Sequence, residues 1–293
     1  MPEGQIIRAL SSFYYVKSEN NIWECKARGV FKKRKLTPVV GDYVVFEKVD
    51  DNKGLITEIK PRKNELIRPQ ISNVDQAILV FSAKEPNFSS LLLDRFLVLV
   101  EQANIKPIIC ITKLDLVEDM DELNSKLKVY EDIGYQVIRT SKLGVGITEI
   151  KEVLKGKVSV FSGQSGVGKS TLLNTISPEL YLETANISQK LGRGKHTTRV
   201  VQLITLPSGG TVADTPGFSS LDFHGINSKE LDKYFIEIAE LSTQCRFRGC
   251  LHLSEPGCAV KEAVEEGQIN KERYEHYLEF LKEIVELEER KWR

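Results

Sequence analysis

The first sixty residues alternate apolar and polar positions in short runs rich in β-branched and aromatic side chains: Gln5–Leu10, Phe13–Lys17, Ile22–Arg28, Asp42–Val49 and Gly54–Lys60. Turn-formers at Asn20-Asn21, Gly41-Asp42 and Asp50–Gly54 separate them, so five strands at this spacing predict a small barrel or sandwich, an OB-fold first. The pattern then changes. Gln76–Ser82 and Lys106–Thr112 are almost wholly apolar, as strands buried on both faces are, and helical spacing covers about Ser89–Ala103 and Met120–Ile133. Further strand-like runs at Tyr135–Thr140, Val158–Ser162, Val200–Leu206 and Thr211–Asp214 extend the series, and the alternation predicts a parallel α/β sheet. Farther on, Leu231, Tyr234, Phe235, Ile238 and Leu241 predict one helix over Lys229–Leu241. Lys271–Arg293 reads as an acidic amphipathic helix packed through Tyr274, Tyr277, Leu278, Leu281 and Ile284. The expected fold class is multidomain: a β-barrel over 1–68, an α/β domain over 69–222 and a mostly helical domain over 223–293.

Composition narrows the class. With 41% hydrophobic and 28% charged residues in 293, the chain matches ordinary soluble globular proteins. No apolar run approaches the roughly 18 residues of a membrane span; the longest, Leu91–Val100, is interrupted by Asp94-Arg95. Met1–Gln5 lacks the basic and apolar regions of a signal peptide. A cytoplasmic protein without a membrane partner is expected, its five cysteines reduced, buried or metal-bound. Lys and Arg balance Asp and Glu at 41 each, yet residues 1–68 hold 14 basic against 9 acidic residues, a weak pointer to a polyanion. Lys32, Lys33, Arg34 and Lys35 lie in the loop before the fourth run, and Phe13, Tyr14, Tyr15, Trp23 and Phe31 offer stacking faces for RNA. A solvated basic loop over an aromatic core accounts for the same residues equally well.

The chemistry concentrates after Val158–Ser162. Gly163-Gln164-Ser165-Gly166-Val167-Gly168-Lys169-Ser170-Thr171 has phosphate-loop spacing between a strand and a helix start. Glycines turn backbone N–H groups toward phosphate oxygens, Lys169 reaches the β- and γ-phosphates, and Ser170 offers its hydroxyl to Mg²⁺. A glycine-rich turn that binds nothing is the bland alternative. Thr112-Lys113-Leu114-Asp115 ends a buried strand and resembles the guanine signature [NT]-K-x-D: the Asp115 carboxylate can accept from guanine N1–H and its 2-amino group, which adenine lacks. Thr140-Ser141-Lys142 resembles the last GTPase motif, whose backbone N–H groups, here of Ser141 and Lys142, meet guanine O6. A polar loop, 186–199, then offers Thr197 and Thr198 as alternative Mg²⁺ ligands. Asp214-Thr-Pro-Gly217 places a carboxylate for Mg²⁺ at a strand end and a glycine N–H for the γ-phosphate. Phe218 follows where many GTPases carry a water-orienting Gln, so His196 is the candidate catalytic residue; a loop histidine or phosphate contact is its alternative. In an ordinary GTPase the Lys-x-Asp and Ser motifs come last. Here they come first, which describes a circular permutation.

Cys245, Cys250, His252 and Cys258 put three thiols and one imidazole within fourteen residues, the ligand set of a closed tetrahedral Zn²⁺ site. Four unrelated buried residues are the competing reading. Arg246 and Arg248 lie inside this segment and are further RNA candidates.

Together the permuted motifs, the OB-like start and the cysteine cluster resemble the RsgA family of ribosome small-subunit-dependent GTPases, over essentially the whole chain. The resemblance implies one structural zinc and GTP or GDP with Mg²⁺. It also implies a role in late maturation of the 30S subunit on 16S rRNA, with slow hydrolysis stimulated by the subunit. A monomer is expected. The rivals are a GTP-binding module, which would bind without hydrolysis even with ribosomes, a nucleotide kinase or ATPase, which requires that Asp115 not read guanine, and a non-enzymatic RNA-binding protein, which leaves the five nucleotide motifs unexplained.

Overall fold

Short alternating strands with left-handed turn residues between them curl the N-terminal chain until its first strand meets its fourth. The computed structural model describes residues 1–10, 12–33, 36–67, 70–178, 201–214, 221–223 and 225–291, and for Lys32, Lys33, Asp214 and Lys291 only the backbone. Strands β1 (Glu3–Leu10), β2 (Phe13–Ser18), β3 (Asn21–Ala27), β4 (Tyr43–Asp50) and β5 (Lys53–Ile59) follow the predicted runs to within two residues at each end. Their order β1-β2-β3-β5-β4, closed by a β1–β4 pairing, makes a five-stranded OB-like barrel. Ile6, Val16, Cys25, Val44, Phe46 and Ile56 point inward and are fully buried. The basic segment begins in a single helical turn, α1 (Val30–Lys33), whose Phe31 packs into the core, so Phe31 is no stacking face.

A small hairpin, β6 (Glu65–Leu66) with β7 (Ile71–Ser72), leads to the α/β sheet. Its strands are β8 (Gln76–Ser82), β9 (Lys106–Thr112), β10 (Gln136–Arg139), β11 (Val158–Ser162), β12 (Gln202–Thr205) and β13 (Thr211–Asp214). The order is β10-β9-β8-β11-β13-β12, all parallel except β12, and β12 touches β1 through Arg8 opposite Gln202. Barrel and sheet are thus one continuous hydrogen-bonded array. Their junction is polar and fully satisfied around Asp42, which is 0% exposed: it accepts from Val39 N (2.8 Å), Ser72 Oγ (2.6 Å) and two nitrogens of Arg62 (2.7 and 2.8 Å).

Helix α2 (Ser90–Gln102) starts where the Ser89 hydroxyl accepts from Leu92 N; α3 (Asp121–Ile133) stops at left-handed Gly134. Both cover one face of the sheet, with α4 (Ile147–Leu154) and α5 (Lys169–Ile176) on the other. Beyond residue 222 the expected helix over Lys229–Leu241 is two pieces. Asn227 caps a 3₁₀ turn, Ser228–Tyr234; Phe235 is extended and turns its ring onto Tyr277 and Phe280, and α6 (Ile236–Ser242) begins after it. Burying Phe235 outweighs the local preference for an unbroken helix. Two further helices, α7 (Ala259–Glu265) and α8 (Lys271–Lys291), complete the fold. Among the described residues no helix is long and apolar enough to cross a membrane.

The C-terminal helices share their core with α2: Val98 and Leu99 pack with Phe223, Phe235, Phe280 and Leu281. Beside this apolar contact lies a buried ionic cluster. Arg273 donates to Asp94 and bonds Glu237 twice, while His276 Nδ1 lies 2.6 Å from the other Asp94 oxygen. Burial alone would lower the Arg273 pKa; Asp94 and Glu237 outweigh it and raise it, so the guanidinium stays charged. Removing one member strands buried charge. Arg273→Met is therefore expected to destabilise the protein by about 3–5 kcal/mol, read as a lower urea midpoint, with partial recovery when Asp94→Asn and Glu237→Gln are added.

Candidate functional site

Parallel strands in register bring every described motif to one end of the sheet. Ser82 pairs with Thr112 and Ile111 with Arg139, so β8, β9 and β10 exit within a residue of one another, while Ser162 pairs with Leu79, so β11 ends three residues earlier and its loop climbs past Val80 to the same rim. Val160 pairs with Ala213, placing Asp214 at the same rim. This is where open α/β sheets present ligand-binding loops.

The glycine-rich loop 163–168 leaves β11 and feeds α5. Gly163 (φ 146°) passes so close to β8 that a Cβ would sit 2.0 Å from the Val80 carbonyl oxygen, and Gly168 (φ 95°) turns the chain into α5 from a left-handed conformation. Lys169 Nζ donates to the carbonyls of Gly163 (2.6 Å) and Gln164, which holds it over the loop; partial burial lowers its pKa. Ser170 and Thr171 are exposed at the first turn of α5.

The two base-reading segments meet. Asp115 lies in a 3₁₀ turn, Leu114–Leu116, and its Oδ1 accepts from Lys142 N (3.2 Å). Ser141 Oγ accepts from Leu143 N (3.2 Å), shaping the neighbouring turn. Lys113, left-handed at φ 59°, donates through Nζ to the Glu85 carbonyl after β8. The Thr112 hydroxyl has an internal use: it donates 2.5 Å to the Val167 carbonyl in the glycine-rich loop and lies 3.3 Å from the Phe81 carbonyl. A threonine at that place thus ties the two loops together, a role that sequence matching, which reads residue 112 as a base contact, does not reveal. His196, Thr197, Thr198, Gly217, Arg34 and Lys35 lie outside the described residues, as do the side chains of Asp214, Lys32 and Lys33.

The C-terminal cluster is compact. The ligand atoms of Cys245, Cys250, His252 and Cys258 all lie within 4.8 Å of one another, and three of the four residues are buried. Burial pushes the Cys250 thiol up to about 12 and raises Cys258 as well, so thiolates packed this closely need a cation beside them. The donor set fits one structural Zn²⁺ with no coordination position left for catalysis. The surrounding backbone is held by groups the spacing does not advertise. The Glu255 carboxylate accepts from Leu251 N, Leu253 N and Ser254 N (2.8, 2.8 and 3.0 Å), while Tyr274 and Tyr277 hydroxyls donate to the carbonyls of His252 and Leu251. Arg246, Phe247 and Arg248 are exposed on the rim. Cys25 and Cys110, by contrast, are buried single thiols raised by that burial to about 11 and about 12, consistent with packing alone.

Two family models match the chain: RsgA GTPase over residues 59–224 and RsgA N-terminal domain over residues 3–56. The small ribosomal subunit biogenesis GTPase RsgA of Bacillus velezensis is 60% identical, covering 98% of this chain and 98% of that protein. The protein of the same description from Bacillus subtilis is 58% identical over 97% and 98%. Among solved structures, YloQ, described as a circularly permuted GTPase, superposes with a TM-score of 0.84 at 52% identity, covering 98% of this chain and 96% of that one. YjeQ from Thermotoga maritima gives 0.84 at 39% identity, over 97% and 98%.

Thr112→Val keeps the strand but removes the donor to Val167. It is expected to weaken GDP binding by roughly five- to tenfold, the equivalent of about one hydrogen bond, in a fluorescent-nucleotide titration, with circular dichroism unchanged.

Proposed function

Because this chain belongs to the RsgA GTPase family and is a GTP hydrolase, we propose that it acts in late maturation of the small (30S) ribosomal subunit. On this reading it binds the subunit with GTP, hydrolyses GTP to GDP and phosphate when the subunit stimulates it, and couples hydrolysis to its own release or that of another assembly factor. The observation that carries the reading is the convergence of Asp115, Lys142, Thr112 and the glycine-rich loop at one rim of the sheet, where Thr112 bonds the loop and Lys142 N–H bonds Asp115.

The chemistry distributes accordingly. Asp115 selects guanine through its N1–H and 2-amino donors, and the Ser141 N–H meets O6, joined by the Lys142 N–H when it exchanges its bond to Asp115 for the base. Backbone N–H groups of Gly163–Thr171 cradle the phosphates and Lys169 neutralises the β- and γ-oxygens. Ser170, Asp214 and one of Thr197 and Thr198 would hold Mg²⁺, which neutralises phosphate charge, and the Gly217 N–H would meet the γ-phosphate. His196 orients the attacking water in place of the missing Gln, since Phe218 cannot. Segments 1–68, 69–222 and 223–293 divide the labour between RNA docking, GTP hydrolysis and a zinc-ordered second contact. Lys32, Lys33, Arg34, Lys35, Arg246 and Arg248 supply positive charge toward 16S rRNA. The protein works as a cytoplasmic monomer.

Turnover measured at fixed salt with and without purified small subunits tests the whole reading. Intrinsic hydrolysis is expected to be slow and to rise at least tenfold with subunits, and equal rates would contradict it. His196→Ala is expected to lose most of the stimulated rate, on the order of a hundredfold, with GTP affinity unchanged; full retained turnover would remove His196 from the mechanism.

A further inference from the structure

The geometry points to Asp232 as the residue that orients His252 at the metal cluster, so that Nδ1 serves as the metal ligand and Nε2–H is held by a carboxylate. The inference rests on the fit of the cluster to zinc and is independent of the ribosomal role.

The imidazole of His252 is 0% exposed. Its Nδ1 lies 3.3 Å from Cys258 Sγ and 3.6 Å from Cys245 Sγ, so this is the nitrogen that faces the thiols. On the opposite side of the ring, Nε2 is buried without a hydrogen-bond partner. The nearest carboxylate is Asp232, with Oδ2 4.0 Å from Nε2, and Asp232 Oδ1 is likewise buried and unsatisfied. The unpaired ring nitrogen therefore faces a carboxylate that itself has a buried oxygen without a partner. Buried polar atoms without partners are uncommon in folded proteins, because each has given up its hydrogen bonds to water without replacement. A shared resolution is the economical one here. Metal at Nδ1 fixes the proton on Nε2, and that N–H is then a donor aimed at Asp232. An N–H···O bond forms at about 2.7–3.2 Å, so ring and carboxylate have to approach by roughly 1 Å.

Competing partners are accounted for. The Tyr277 ring flanks His252 at 5.9 Å between centroids, but its hydroxyl donates to Leu251 O at 3.0 Å. The 3₁₀ turn that carries Asp232 is capped by the Asn227 side chain, which accepts from Lys229 N at 2.9 Å, so the Asp232 carboxylate is not needed for capping. Asp232 also lines the hollow of about 240 Å³ that contains Cys245, Cys250 and His252. A carboxylate thirteen residues before the first thiol in sequence, on a different element, thus belongs to the metal site.

Two measurements on the full zinc-loaded chain decide it. Long-range ¹H–¹⁵N correlation of the histidine rings in the unsubstituted protein is expected to show His252 protonated at Nε2 and metal-shifted at Nδ1; the reverse assignment overturns the proposal whether or not any variant folds. In competition with a chromophoric chelator, Asp232→Ala is expected to lower Zn²⁺ affinity by roughly 10–100-fold. Asp232→Asn keeps an oxygen acceptor and is expected to recover most of the loss. Unchanged zinc retention in Asp232→Ala, or an equal loss in both variants, overturns the proposal.

Discussion

Contact between the glycine-rich loop and the end of β8 is the constraint on which the nucleotide rim depends. Gly163 can seat the loop directly on the Val80 carbonyl only because it has no Cβ, which would sit 2.0 Å from that oxygen. Strand β8 is flanked by β11 and β9, and both pairs are parallel and in register. The loop after β9 therefore emerges at the same height, where the Thr112 hydroxyl reaches Val167. A parallel ladder fixes levels as well as neighbours. Loops more than forty residues apart in sequence are thus brought within hydrogen-bonding distance by the ladder that carries them.

Permutation makes a second demand. With Lys-x-Asp ahead of the glycine-rich loop, the chain leaves the sheet after β13 at Asp214 and still has 79 of its 293 residues to place. They return to α2, a helix of the α/β layer laid down 130 residues earlier. The apolar part of that contact is non-directional, but Asp94, Arg273, Glu237 and His276 satisfy one another in a single arrangement. Arg95 reinforces it by gripping both oxygens of Glu283 (3.0 and 2.5 Å) while stacking on Phe223 and Phe280. The ionic part defines where the helices sit more than how strongly they hold.

How much of this was legible in the sequence follows from the range of the forces involved. Strand periodicity and turn chemistry are local, and β8 and β9 begin and end at the predicted residues. Motif residues adjacent in sequence, such as 163–171, carry their geometry with them. Contacts between distant elements leave no such trace. Asp94-Arg95 looked like a mere interruption of an apolar run, yet the pair is the polar anchor of α8, 179 and 188 residues away. The Lys229–Leu241 helix failed because Phe235 packs on Tyr277 and Phe280, partners no local window contains. Asp232 beside His252 belongs to the same class. The match of Thr112 to a guanine motif was local, while its bond to Val167 depends on sheet order.

The continuity of barrel and sheet has one more effect. A sheet normally ends in two rows of unpaired backbone groups, each a template for another chain. Here β12 abuts β1, and β1 is already closed against β4, so the eleven strands curl shut at one end. Among the described strands β10 is left as the outer one of the α/β layer. It is four residues long, and Arg139 at its end is paired with Glu131 of the helix beside it. A small domain appended at the N-terminus thereby also acts as a stopper against edge-to-edge aggregation, and a chain deprived of it would expose β12 to self-association.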